Sequence, residues 1–147
     1  MITQIKKLAK EYAPDCVAIR HHLHAHPELS YQEFETSRYI QQQLSALGIP
    51  FEVKAETGVV GLIEGRNPSS RIVALRADID ALPIQEENDV PYRSQNAGIM
   101  HACGHDVHTT CLLGAARILH HLRDEWEGTV KLIFQPGEEK NPEEQVC

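Results

Sequence analysis

The sequence predicts an α/β fold, a mixed, largely parallel sheet flanked by helices, and three observations carry that expectation. Apolar residues first recur at helical spacing, between about residues 2 and 47. Short runs rich in β-branched residues and bounded by glycine or proline then take over, between residues 51 and 77. Last, a helical stretch stands between two such runs, an order that implies a crossover joining parallel strands.

Each element has a local reason. Ile2–Tyr12 and Asp15–His24 read as two helices parted by Pro14, which suits the first turn of the second. Pro27 pushes His26 out of helical geometry and ends that stretch. A third helix is expected from about Gln32 to Leu47, with Phe34, Ser37, Tyr39, Ile40, Leu44 and Leu47 on one face and Gly48 as its terminator. Phe51–Lys54 and Gly58–Gly65 read as short strands, and Arg71–Ala77 as a continuous apolar strand buried on both faces. Ala81–Gly98, polar and holding Pro83 and Pro91, reads as a long loop of the kind that is functional or mobile. His108–Arg123 follows as a helix with Asp106 near its start as the N-cap, and Thr129–Phe134 closes the pattern as a strand.

Composition excludes several functions. A net charge of −7 with scattered Lys and Arg leaves no footprint for nucleic acid. No apolar run approaches the roughly 20 residues that span a bilayer. The amphipathic first residues lack a signal core, and Cys16, Cys103, Cys111 and Cys147 show no disulfide-framework spacing. A reducing cytoplasmic setting is therefore expected. Cys16 and Cys111 fall in helical patterns and are expected to be buried.

The chemistry concentrates in two short stretches. Met100–His108 reads M-H-A-C-G-H-D-V-H, and Phe134–Glu139 reads F-Q-P-G-E-E. With Asp78 and Asp80, these groups follow strands or precede a helix, where the functional groups of open α/β sheets collect. Cys103 and His105 are strong ligands for first-row metals, and Gly104 between them lets both face one point. Of the adjacent Glu138 and Glu139, one can ligate while the other takes a proton from activated water. His21, His22, His24 and His26 look like a metal tract, but the first three read as helix-end structure before ligation, and so do His120 and His121. Asp78 and Asp80 alone could equally be caps of a helix or a turn. A rival reading makes Cys103 a nucleophile with a histidine base, but leaves Glu138 and Glu139 without a task.

At these residues the chain resembles the amidohydrolase branch of the aminoacylase/carboxypeptidase metallopeptidase family, which holds hippurate hydrolases, N-acetyldiaminopimelate deacetylases and plant auxin-conjugate hydrolases. The resemblance rests on L-H-A-H-P-E-L-S with Glu33 and Thr36 behind it, A-L-R-A-D-I-D-A-L-P-I, M-H-A-C-G-H-D-V-H and F-Q-P-G-E-E, in that order. It implies a zinc-exopeptidase-like three-layer α/β/α domain and two divalent ions, Mn, Zn, Co or Ni. Cys103 would bridge them, His105 and Glu139 would ligate, and Glu138 would be the general base. Asp80 would stand close behind, with Asp78 less securely placed. The implied substrate is a small N-acyl amino acid.

The resemblance also implies a longer protein. Residues 1–147 would be the N-terminal portion of the catalytic domain, without the lid or dimerisation domain and without two further histidine ligands, since no histidine follows His121. On that expectation this chain holds one ion or none. The alternative to an amidohydrolase is then an inactive metal-binding or self-associating fragment, since an unfinished sheet edge invites homo-oligomers.

Overall fold

The computed structural model describes residues 1–140. Helix α1 spans Ile2–Ala25 and α2 spans Phe34–Leu47. Strands β1 (Phe51–Lys54), β2 (Gly58–Glu64) and β3 (Ile72–Asp78) follow, then α3 (His105–His121) and β4 (Thr129–Gln135). The strands form one sheet in the order β1-β2-β4-β3. β3 and β4 run parallel through the α3 crossover, as the pattern implies, while β1–β2 and β2–β4 are antiparallel. The α/β class and the mixed sheet follow the expectation. Among the four strands of the sheet, parallel pairing is confined to β3–β4.

The core lies between one face of the sheet and the helices. Ile40 and Leu44 of α2, Leu112, Leu113 and Ala116 of α3, and Val59, Ile63, Leu132 and Phe134 of the sheet form one buried cluster. Burying such side chains is worth roughly 1.5–3 kcal/mol each and gives the sheet its alternation along β4, where Val130, Leu132 and Phe134 point inward and Lys131 outward.

Several expectations change at this level. Pro14 does not divide two helices but sits inside α1. Leu8 and Tyr12 before it pack with Leu122, and Ile19 after it packs on the main core, so both halves are held in line despite the missing backbone bond. β3 is not buried on both faces: it stands at the sheet edge, with Ile72 69% and Val73 48% exposed. Phe34 opens α2 exposed rather than on its buried face. Cys111 is also exposed, since it lies on the side of α3 away from Leu112 and Leu113, whereas Cys16 is half-buried. Cys147 lies outside the described residues.

Helix starts are set by carboxylates from elsewhere. The Glu28 side chain accepts from the amides of Glu35 and Thr36 at 3.1 and 2.6 Å, which satisfies free donors at the α2 N-terminus. Gly48 ends α2 in the left-handed conformation, φ 72°, as the sequence predicts. Helix α3 starts three residues before the expected point, so Asp106 is inside it rather than its cap. The Asp106 carboxylate turns inward instead, and accepts from the Arg20 side chain at 3.1 Å.

Candidate metal centre

The site forms where β3, β4 and α3 meet. β3 delivers Asp78 as its last residue and Asp80 just beyond it. The loop before α3 delivers Cys103, the first residue of that helix is His105, and the turn after β4 delivers Glu138 and Glu139. The sulfur of Cys103, one ring nitrogen of His105 and a carboxylate oxygen of Glu139 all lie within 4.8 Å of one another.

Asp80 ties the three segments together. It is fully buried, and its Oδ2 accepts from the Ser30 hydroxyl at 2.6 Å and from the Glu139 amide at 2.9 Å. His105 Nδ1 faces the Asp80 carbonyl at 2.9 Å and Asp80 Oδ1 at 3.2 Å. Two acceptors at one ring nitrogen hold its proton there, which leaves the Nε2 lone pair free for a ligand. Nε2 stands 3.7 Å from Glu138 Oε2 and 3.8 Å from Glu139 Oε1.

The turn carrying the two glutamates is fixed by Glu33. That carboxylate is wholly buried, accepting from the Gly137 amide at 2.8 Å and the Thr57 hydroxyl at 2.9 Å. Gly137 has φ 67°, and a Cβ there would run into the Tyr31 ring, so glycine is required on both counts. Sequence reasoning placed Glu33 in a motif but gave it no task. The available signal was a carboxylate at the start of an apolar helix face.

The atoms present fit a divalent transition ion. Glu139 Oε1 is buried and has no hydrogen-bond partner among the described residues, yet it lies beside His105 and Cys103. An acceptor left bare in this way is costly unless something cationic meets it. Sulfur, nitrogen and oxygen donors together suit the first-row metals. The neighbouring Glu139 carboxylate raises the Cys103 thiol above its ordinary pKa, with partial desolvation and the charges of Glu138 and Asp80 adding to this. A cation at the same point would reverse that effect.

Behind the centre lies a polar layer that the sequence did not disclose. His24 is buried, with Nδ1 2.7 Å from Asp106 Oδ2 and Nε2 2.9 Å from Glu86 Oε1. Tyr92 stacks on His21 at 3.8 Å, and Gln95 donates its amide to the Ala25 carbonyl at 2.8 Å. These contacts bind the long loop to α1. The expectation that His24 serves structure agrees with this placement. His101, also buried, has no partner for either ring nitrogen among the described residues, and burial lowers its pKa to about 4.

An open mixed sheet with a thiol, an imidazole and carboxylates gathered beyond its strand ends has the layout of a metal-binding α/β enzyme domain. Known proteins narrow that class. Residues 74–144 match the model of peptidase family M20/M25/M40. An N-acyl-L-amino acid amidohydrolase of Geobacillus stearothermophilus is 47% identical over 140 residues, which are 95% of this chain and 38% of that protein. An N-acetyl-L-cysteine deacetylase of Bacillus subtilis is 52% identical over 124 residues, 84% of this chain and 30% of the relative. Among solved structures, a dinuclear metal-binding peptidase of the M20 family from Bacillus subtilis superposes with a TM-score of 0.85 at 45% identity, over 88% of this chain and 37% of its own. The chain is similar to the M20 peptidases in fold and, over residues 74–144, in sequence, and it resembles their amidohydrolases. It spans 38% of the length of the Geobacillus relative.

Proposed function

We propose that this protein acts in metal-dependent hydrolysis of the amide bond of N-acyl amino acids, with Cys103, His105 and Glu139 as ligands and Glu138 as general base. The observation that carries the reading is the pairing of the two glutamates. Glu139 turns a buried, partnerless oxygen toward Cys103 and His105, while the Glu138 side chain stays 41% exposed beside His105. One carboxylate is thus spent on holding an ion, and its neighbour is left open to substrate and water.

A divalent ion held there would lower the pKa of a water molecule and polarise the acyl carbonyl. The rest falls to the protein. Glu138 accepts the proton from the attacking water and returns it to the leaving amine nitrogen. His105, oriented by Asp80, keeps Nε2 aimed at the ion, and Cys103 contributes a thiolate from the adjoining loop. Glu33 and Gly137 hold the turn so that both glutamates keep their places.

The reading is tested on N-acetyl and N-benzoyl amino acids. Turnover should vanish with chelator and return with manganese or zinc, and Glu138→Gln should lower kcat about 10²–10⁴-fold while metal binding persists. Chelator-insensitive turnover would overturn it. Metal binding without turnover by these 147 residues would assign this chain the binding role alone.

A further inference from the structure

His105 belongs to two ligand groups. Besides Cys103 and Glu139, it stands within 4.8 Å, ligand atom to ligand atom, of Asp78 and His108. Asp78 ends β3, and its carbonyl accepts from the Thr109 hydroxyl of α3 at 3.1 Å, which fixes strand end against helix. His105 and His108 are three residues apart in the first turn of α3 and so share a side of the helix. Their rings are 5.6 Å apart between centroids. Arg76 engages Asp78 Oδ1 at 2.6 and 3.0 Å and leaves Oδ2 open. The Arg76 side chain is 54% exposed, and such a surface pair is too weak to bar a cation.

We infer that Asp78, His105 and His108 form a second, sulfur-free position for a divalent transition ion, an alternative to the Cys103 position. Two imidazoles and one carboxylate with further places open to water is a donor set that takes zinc, iron(II), manganese or cobalt. The two positions exclude each other at His105. Its Nδ1 is occupied by Asp80, so a single lone pair on Nε2 serves both. The Asp78–His108 position opens on a cleft lined by Asp78, His108, Cys111 and Glu138. Cys103 is exposed as well, so solvent reaches both positions, and an ion can pass between them by exchanging Asp78 and His108 for Cys103 and Glu139 while staying on His105. This rests on the metal reading of His105 given above, but it needs neither Glu138 chemistry nor turnover.

The test is a titration of cobalt(II) chloride into the metal-free full chain, followed both by calorimetry and by absorption. In wild type a thiolate-to-cobalt absorption band is expected, and its absence would sink the Cys103 reading without touching this one. Cys103→Ser should still bind one cobalt ion. Adding His108→Ala, or separately Asp78→Asn, to that variant should weaken cobalt binding fivefold or more. His108 is exposed, so its replacement should leave the melting temperature of the metal-free chain unchanged. A smaller loss of affinity in either double variant, or a Cys103→Ser chain that binds no cobalt, overturns the inference.

Discussion

Asp80→Asn tests the centre at the residue on which its geometry depends. The carboxylate is fully buried and faces three donors: the Ser30 hydroxyl, the Glu139 amide and the His105 Nδ1 proton. An asparagine of the same shape replaces one oxygen by an NH₂ group. Placed at Oδ2, that group confronts the Glu139 amide, which cannot reverse; placed at Oδ1, it confronts the histidine. Either way a buried donor faces a donor, at about 1–3 kcal/mol, and the loss of charge from the remaining bonds adds about 1 kcal/mol. Stability of the metal-free protein should therefore fall by about 2–4 kcal/mol, read as a lower urea midpoint at unchanged slope. Metal affinity should drop about 10–100-fold, because the His105 ring and the Glu139 backbone both lose their orienting partner. Competition with a chelating dye measures this. Affinity within threefold of wild type, whatever happens to stability, would show that Asp80 does not orient the ligands.

Three further outcomes follow from the same structure. Gly137→Ala should cost about 2–5 kcal/mol, the sum of about 1–2 for a left-handed alanine and about 1–3 for contact with Tyr31; Tyr31→Ala should restore only the second part, as a double-variant denaturation series would show. Leu132→Ala, at a wholly buried position between α2 and the sheet, should lower stability by about 2–5 kcal/mol without changing metal affinity in the same assays. Glu86 supplies a pH dependence. Burial works to raise its pKa, but hydrogen bonds from the Ser94 amide, His24 and Asn88 outweigh that and hold it at about 2, against an ordinary 4.5. Its folded pKa is depressed, so its stabilisation is fully present above about pH 4.5 and is lost as pH falls toward 2. The gap in urea midpoint between wild type and Glu86→Gln should therefore be widest above pH 5 and close on acidification; a gap independent of pH would contradict this.

The elements were legible because their signals are local. Gly48 terminates α2 through its own φ, and the period-two burial of β4 lies in six consecutive residues. Pro14 misled for the opposite reason: what keeps α1 whole is packing against α3, more than a hundred residues away in sequence. The apolar run of β3 likewise could not disclose that it stands at a sheet edge, since strand order is set by the α3 crossover and not by composition. At the centre, ligand types were visible, and strand-end placement suggested that Asp78 and Asp80, Cys103 and His105, and Glu138 and Glu139 could converge. What the sequence hid was everything that holds them, because Ser30, Glu33 and His24 act over separations of 50, 104 and 82 residues.

That hidden layer accounts for how carboxylates divide their labour in this fold. Glu28 caps α2, Glu33 holds the Gly137 turn, Asp80 joins three segments, Glu86 binds the long loop to α1, and Asp106 binds α1 to α3. Each meets donors with both oxygens or lies against a histidine or arginine, so none offers a free acceptor to a substrate. Glu138 and Glu139 differ. They follow a strand end, on a turn whose backbone is held by Gly137 and by the Glu139 amide, so their side chains need hold nothing themselves. The fold spends its buried carboxylates on geometry and thereby leaves two adjacent ones, one shielded and one open, for an ion and a proton.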